Sequence, residues 1–168
     1  MLIIRHETAS DRDAISRVVR DAFVGDAEVR LVDALRDAGH LLLSMVAEQG
    51  GEIVGHIAFS PMTIDSETDT FAAICLAPLA VSSSLQKQGV GSALMNAALD
   101  DLRATADGAI FLLGHPSYYP RFGFRPARDF DVHYQDDRDA FMALELRPGA
   151  LDHVSGTARF ATEFAPFE

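Results

Sequence analysis

A strand–helix–strand unit in the middle of the sequence constrains the fold more than any other feature. Thr70–Val81 form the most hydrophobic stretch of the chain and predict a buried strand. A loop follows, and an amphipathic helix begins after Gly89 and ends at Gly108. Ala109–Leu113 then predict a second buried strand. Because consecutive elements usually pack beside each other, we expect this unit to form a crossover within one sheet.

The flanking segments complete one mixed α/β domain over residues 1–168. Ahead of the crossover, the spacing of apolar residues predicts a strand, two helices and a hairpin. These elements cover Leu2–His6, Ala14–Phe23, Leu31–Ala38, Leu41–Glu48 and Glu52–Asp65, with Gly50-Gly51 at the hairpin turn. Behind the crossover, a helical turn is expected over Ser117–Phe122, and Phe130–Tyr134 and Phe141–Leu146 are expected to close the sheet as a pair.

Composition narrows the classes of function. The net charge of −11 and the pI near 4.8 argue against a nucleic-acid partner and fit a cationic substrate better. No run of apolar residues is long enough for a membrane span, and the N-terminal run is too short for a signal peptide, so we expect a cytoplasmic protein. Cys75 is the only cysteine and the six histidines lack ligand spacing, so we expect no disulfide and no metal site.

The start of the central helix has the features of an anion site. Gly89 and Gly91 let the backbone approach a ligand closely, and the first N–H groups of a helix have no partner within it. Together with the helix dipole, these groups favour a phosphate or a diphosphate. The pattern is not a Walker A loop, and it is not a dinucleotide motif because Leu94 stands where the third glycine belongs.

Two segments together resemble the GNAT superfamily of N-acetyltransferases. The segment PLAV…QKQGVGSALM is similar to the family's acetyl-CoA loop, and YYPRFGF at Tyr118–Phe124 is similar to its second signature. The resemblance implies an acyl-CoA N-acyltransferase fold, in which helices flank a central, mostly antiparallel mixed sheet of about seven strands. It also implies acetyl-CoA as co-substrate and an enzyme that acetylates amines.

The family's site residues can be carried over by position. The resemblance implies that the main chain of Leu79, Ala80 and Val81 pairs with the pantetheine arm. It also implies that backbone amides cradle the diphosphate; these belong to Lys87, Gln88, Gly89, Val90, Gly91 and Ser92. Tyr119 occupies the position of the general acid that protonates the departing thiolate, a task that suits a phenol with a pKa near 10. The alternative interpretation is that Tyr118 and Tyr119 are both core aromatic residues.

The base that removes the proton of the amine is left open. Family members often use a Glu, but no Glu stands at the end of Thr70–Val81. His115, which follows a central strand, and His56 are candidates because imidazole titrates near physiological pH. The amine could instead arrive neutral or lose its proton to ordered water. We place His115 beside Tyr119 in the predicted catalytic set.

The leading prediction is therefore direct acetyl transfer from acetyl-CoA to a primary amine on a small molecule or a peptide. A non-catalytic acyl-CoA-binding or regulatory module of the same fold is the main alternative. A longer acyl chain or an oxygen acceptor stays possible. Acceptor recognition is expected in Phe23–His40 and Asp129–Asp139, where Asp136, Asp137 and Asp139 form either a cation-attracting loop or a solvated surface. A monomer and a homodimer are both compatible with the sequence.

Overall fold

The structure, a computed structural model, describes residues 1–136 and 138–167. Among these residues it has nine strands and three α-helices, of the mixed α/β class that the sequence predicts. No helix in the described ranges is both long enough and apolar enough to cross a bilayer. The strands are β1 (Leu2–His6), β2 (Leu43–Gln49), β3 (Glu52–Asp65), β4 (Thr70–Val81), β5 (Ala109–Leu113), β6 (Arg125–Pro126), β7 (Val132–His133), β8 (Phe141–Glu145) and β9 (Gly156–Phe160), and the helices are α1 (Arg12–Phe23), α2 (Ala27–Asp37) and α3 (Val90–Thr105).

The chain divides into two compact units. The first contains residues 1–60, 77–100 and the segment from 162 onward, and the second contains residues 61–76 and 101–161. β3, β4 and α3 each contribute residues to both units. The single domain expected from the sequence stays a prediction.

The first unit is an antiparallel sheet covered by α1 and α2. β1 pairs with β2 along its whole length, and β2 pairs with β3 from Leu43 opposite Phe59 to Gln49 opposite Glu52. The apolar faces of both helices meet the sheet in one buried cluster, as their spacing predicts. The members of this cluster are Ile15, Val18, Val19, Val29, Val32, Val46 and Ala80.

A glycine lets α3 approach β3 closely in the first unit. Gly55 is buried, and a Cβ atom at this position would lie 2.9 Å from Leu94 Cδ1 and 3.0 Å from Val90 Cγ1. Both distances are shorter than an ordinary contact between carbon atoms. Since Val90 and Leu94 belong to the first turns of α3, the absence of a side chain at Gly55 sets where this helix begins relative to the strand.

The second unit has a mixed sheet built on β5. β4 runs parallel to β5, with Ile74 opposite Ile110 and Cys75 opposite Phe111. β8 pairs antiparallel with all of β5 and also with β6. β9 pairs antiparallel with the end of β3, from Met62 to Asp65, and parallel with β7. The parallel pair β4–β5 flanks α3 in sequence, as the predicted crossover requires.

Two expectations about the sheet are wrong. Among the described residues, the sheet has nine strands rather than about seven. Phe130–Tyr134 and Phe141–Leu146 do not pair with each other, because β7 pairs with β9 and β8 pairs with β5 and β6. β6 and β7 have only two residues each, which is too short for the alternation of apolar and polar residues that predicts a strand.

We predict that Gly55→Ala destabilises the protein by about 1–3 kcal/mol, because the new methyl group overpacks the contact with Val90 and Leu94. Urea unfolding would measure the loss. As a control, the same change in a Leu94→Ala background should cost less, since the cavity accepts the methyl group. Equal costs in the two backgrounds would show that the contact is not the cause.

Candidate active site

Six consecutive main-chain N–H groups are left without an acceptor at the start of α3. The first helical hydrogen bond is donated by Ala93 to Gly89 O, at 3.0 Å. In the part of the chain that the structure describes, no group accepts a hydrogen bond from the N–H groups of residues 87–92. Lys87 and Gly89 have φ angles of 62° and 93°. This left-handed backbone suits Gly89 and is uncommon for a lysine.

The loop before these N–H groups is held by a hydrogen bond to β3 and by hydrogen bonds within the loop and to the end of β4. Ser82 N–H donates to Val54 O on β3, at 2.9 Å. The side-chain amide of Gln86 donates to Val81 O at 3.1 Å, and that of Gln88 donates to Ser84 O at 3.3 Å. The two glutamines therefore use their side chains to shape the loop, while their main-chain N–H groups stay available.

The end of β4 carries the residues expected to pair with the pantetheine arm. Ala80 is buried in the core cluster, whereas Leu79 and Val81 are half-buried. Among the described residues, the pairing of β4 with β5 covers only Ile74 and Cys75 on β4. β4 therefore continues for six residues, Leu76–Val81, beyond its last residue paired with β5.

Tyr119 lies in a short 3-10 turn, Tyr119–Phe122, in the second unit. Its ring packs against Tyr118 and Phe124, with centroid distances of 5.0 and 5.8 Å. Burial, with a smaller contribution from Tyr118, raises the pKa of Tyr119 to about 12. No hydrogen-bond partner of its hydroxyl group is found among the described residues. The phenol therefore keeps its proton at neutral pH and has no internal acceptor for it.

A glycine supports the ring of Tyr119, and the sequence did not point to it. A Cβ atom at Gly114 would overlap the ring edge, at 2.9 Å from Tyr119 Cδ2 and closer still to Cε2. The N–H of Gly114 donates to Ala140 O at 2.9 Å, which fixes the glycine at the end of β5. The ring position therefore depends on the missing side chain at Gly114.

Tyr118 and His115 hold the same turn by different contacts. The guanidinium of Arg121 lies 4.4 Å from the centroid of Tyr118, and Arg121 Nε donates to Tyr118 O at 2.8 Å. His115 O accepts the N–H groups of Tyr118 and Tyr119, at 3.1 and 3.4 Å. The side chain of His115 is exposed. Tyr118, by contrast, takes part in aromatic packing with Tyr119 and Phe122.

His56, the other candidate base, is fully buried in a polar chain of the first unit. Its Nε2 lies 2.8 Å from Ser44 Oγ. Ser44 donates its only hydroxyl proton to Glu7, whose carboxylate also accepts two bonds from Arg36, at 3.0 and 3.1 Å. Ser44 Oγ must therefore accept from His56, so Nε2 carries the proton. Nδ1 has no partner among the described residues.

Burial determines the charge states along this chain. Burial lowers the pKa of His56 to about 4, against the opposing effect of Glu7. Burial also acts to raise the pKa of Glu7, but hydrogen bonds from Arg36 and Ser44 outweigh it and leave this pKa below its ordinary value. At neutral pH a neutral imidazole therefore faces an ionised carboxylate through Ser44. Such an imidazole is a weak base. The polar chain links β2, β3 and α2 to Glu7, the residue that follows β1.

The acidic loop near the predicted acceptor segment is largely neutralised. Arg138 pairs with Asp136 at 3.1 Å, and Arg128 pairs with Asp139. Asp137 lies outside the described residues. Within the described ranges, no group of three or more His, Cys, Asp or Glu side chains is placed to hold a metal ion. The paired arginines favour the solvated-surface interpretation of this loop over attraction of a cation.

A crossover helix that begins with unpaired amides, in a mixed α/β fold, suits the binding of a phosphate-bearing ligand. Residues 3–127 match the model of a family described as an acetyltransferase (GNAT) domain. Over 99% of its length, the chain is 34% identical to the whole of the uncharacterized N-acetyltransferase YhbS of Escherichia coli. It is 39% identical over 70% of its length to 66% of the N-acetyltransferase YjhQ of the same organism. The chain belongs to the GNAT acetyltransferases.

Two solved structures agree with this assignment. The crystal structure of Escherichia coli YhbS in complex with CoA has a TM-score of 0.91 and 34% identity, covering 99% of this chain and 93% of that one. A GNAT acetyltransferase of Brucella melitensis in complex with acetyl-CoA has a TM-score of 0.81 and 32% identity, covering 98% of both chains. The fold expected from the resemblance is thereby confirmed, and both of these relatives bind the coenzyme that the resemblance implies.

We predict that His56 makes the stability of the protein fall on mild acidification. The unfolded chain takes up a proton on His56 below pH 6.5, whereas the folded chain does so only near pH 4. The contribution is therefore fully present above pH 6.5 and is lost as the pH falls towards 4, by about 3 kcal/mol over that window.

Urea unfolding at several pH values between 7 and 4 would measure this loss. His56→Gln should give a flatter dependence of the unfolding free energy on pH, because glutamine does not titrate. His153→Gln, a change at an exposed histidine, serves as the matched control and should follow the wild type. The Glu7 carboxyl group, whose pKa is lowered from 4.5, costs stability only as the pH falls below about 4.5, at the acid end of this range. Parallel curves for wild type and His56→Gln would contradict the prediction.

Proposed function

We propose that this protein transfers the acetyl group of acetyl-CoA to a primary amine by direct attack. The observation that carries the proposal is the row of N–H groups without acceptors at residues 87–92, in a chain whose relatives bind CoA or acetyl-CoA. The neutral amine nitrogen attacks the thioester carbonyl and a C–N bond forms; the C–S bond then breaks, the nitrogen loses one proton and the thiolate takes one up. Alignment of the two reactants is worth ~7–11 kcal/mol.

The main chain of the first unit supplies the coenzyme contacts in this proposal. The N–H groups of Lys87, Gln88, Gly89, Val90, Gly91 and Ser92 bind the diphosphate, which suits six donors at the positive end of a helix dipole. The main chain of Leu79, Ala80 and Val81 pairs with the pantetheine amides as though a strand were added. A donor near Val81 stabilises the oxyanion of the tetrahedral intermediate. The length of β4 that continues beyond its pairing with β5 supports this assignment.

Tyr119 is the general acid in the proposed reaction. Its phenol holds a proton at any physiological pH, since burial raises its pKa to about 12. A nascent thiolate is a strong enough base to accept that proton, and the hydroxyl group has no internal acceptor in the described chain that would compete. Because the pKa is so high, Tyr119 should cause no loss of activity with rising pH below about pH 10.

We predict that Tyr119→Phe lowers turnover at least tenfold and leaves the affinity for acetyl-CoA nearly unchanged. The substitution removes the proton donor but keeps the ring packed against Gly114 and Phe124. Release of free thiol measures turnover, and calorimetry measures affinity. Equal turnover in the two proteins would refute the role of Tyr119.

Gly114→Ala is a companion variant that keeps the hydroxyl group but displaces the ring that carries it. We expect it to lower turnover as well. In the Tyr119→Phe background, Gly114→Ala should lower turnover little further, because the hydroxyl group that it displaces is already absent. Additive losses would assign Gly114 to general folding rather than to the placement of Tyr119.

We assign removal of the proton from the incoming ammonium to His115. Its side chain is exposed and lies four residues before Tyr119, at the end of β5. His56 is a poorer candidate, because burial lowers its pKa to about 4 and shields it from solvent. An exposed imidazole can pass the proton on to bulk water after each turnover.

We predict that His115→Ala lowers kcat/KM for the amine at least fivefold at neutral pH. The defect should shrink as the pH rises, because more of the amine is then already neutral. Added imidazole should restore part of the rate. His153→Ala, a change at another exposed histidine, is the matched control. A defect that does not depend on pH and is not rescued by imidazole would remove His115 from this role.

The decisive test mixes the purified protein with acetyl-CoA and a panel of polyamines, amino sugars, lysine peptides and N-terminal peptides. Release of free thiol together with an acetylated amine in the mass spectrum supports the proposal. Saturable coenzyme binding without thiol release would instead support the acyl-CoA-binding module. We further propose that residues 1–168 act as one acetyltransferase domain, as a monomer or a homodimer, in the cytoplasm, on a small-molecule or peptide amine.

A further inference from the structure

A carboxylate on α1 holds the loop that leads to the coenzyme-binding amides. Asp21 Oδ2 accepts the main-chain N–H of Ser83 at 2.7 Å, and Oδ1 accepts its hydroxyl at 3.1 Å. The two residues lie 62 positions apart in the sequence. Ser83 begins the short 3-10 turn Ser83–Leu85, and the row of free N–H groups starts two residues after that turn. One side chain therefore fixes both polar hydrogens of a loop residue.

The charge of Asp21 does not by itself favour coenzyme binding. A carboxylate repels phosphate groups, and no ion pair with Asp21 is found in the part of the chain that the structure describes. Its hydrogen bonds are made to Ser83. Asp21 therefore aids coenzyme binding by ordering the loop before the ligand binds.

The C-terminal end of α1, which we call its tip (residues 22–26), has exposed apolar side chains. Asp21 lies in the last turn of α1, which ends at Phe23. The side chains of Phe23 and Val24 are 39% and 91% exposed. Val24 has φ 51° and ψ 73°, a left-handed conformation that is unusual for a β-branched residue. Arg20 and Asp26 pair at 2.7 Å across the turn and hold it. The tip is also the start of the segment expected to recognise the acceptor.

We propose that Asp21 is a positioning residue that couples coenzyme binding to the acceptor-recognising tip of α1. The inference rests on the proposed function, because it takes the amides of residues 87–92 as the diphosphate site. Because Asp21 accepts hydrogen bonds from Ser83, the loop and the tip become ordered together. A ligand that orders one of them then lowers the cost of ordering the other, and the effect is reciprocal.

The first test measures the affinity for CoA by calorimetry. Asp21→Ala should raise the Kd about tenfold, the scale expected for loss of hydrogen bonds to a charged group. Ser83→Ala should raise it less, because the main-chain N–H still donates to Asp21, and Asp21→Asn should fall between wild type and Asp21→Ala. Asp13→Ala removes an exposed carboxylate from the first turn of the same helix and should leave the Kd unchanged.

The second test detects the coupling itself by hydrogen exchange of the amides in residues 22–26. Saturating CoA should protect these amides in the wild type and in Asp13→Ala, but not in Asp21→Ala. In steady-state assays at saturating acetyl-CoA, Asp21→Ala should raise KM for the amine more than it lowers kcat. If Asp21→Ala does not fold, Asp21→Asn and Ser83→Ala take its place in both tests.

The outcomes separate this inference from the proposed function. Equal Kd values and equal protection in wild type, Asp21→Ala and Ser83→Ala would overturn the role of Asp21 while leaving coenzyme binding intact. Failure of the folded wild type to bind CoA would overturn the proposed function itself. A raised Kd with protection of residues 22–26 still present would confine Asp21 to the loop and would overturn the coupling.

Discussion

Six successive main-chain N–H groups need a hydrogen-bond acceptor from outside the protein. The rest of the active site depends on this constraint. No internal acceptor exists for residues 87–92 in the described chain, and a helix dipole adds to their positive potential. Gly55 allows α3 to pack against β3 and so sets where these groups lie. Gly89, directly before α3, has a left-handed backbone that glycine adopts without strain. In the proposed function, a diphosphate accepts from several of these N–H groups at once.

Burial raises the pKa of Tyr119 and lowers the pKa of His56, for the same physical reason. A site that excludes water disfavours the charged form of any group. For Tyr119 the charged form is the phenolate, so its pKa rises to about 12 and the group remains an acid. For His56 the charged form is the imidazolium, so its pKa falls to about 4 and the ring remains neutral. The same principle thus supports the proposed acid role of Tyr119 and favours a structural role for His56.

Local patterns predicted the long elements well and the short ones poorly. The limits of β1, β3, β4 and β5 agree with the sequence prediction because each has enough residues to show its pattern. β6 and β7 have two residues each, and their pairing follows from how the chain folds back rather than from their own composition. β9 has five residues, as β1 and β5 do, but its sequence GTARF lacks an apolar run, so the sequence does not predict it. The number of strands was therefore too low, and the closing pair was wrong.

The sequence by itself determined the family and predicted a coenzyme and the position of a phosphate-binding turn, because glycine spacing and the YYPRFGF signature are local patterns. Only the tertiary structure decided the contacts between distant residues: Asp21 with Ser83, Gly114 with Tyr119, and His56 with Ser44. It also separated the two histidines, one exposed and one buried. Hydrogen-bond partners and burial depend on strand register and helix packing, which no short stretch of sequence specifies.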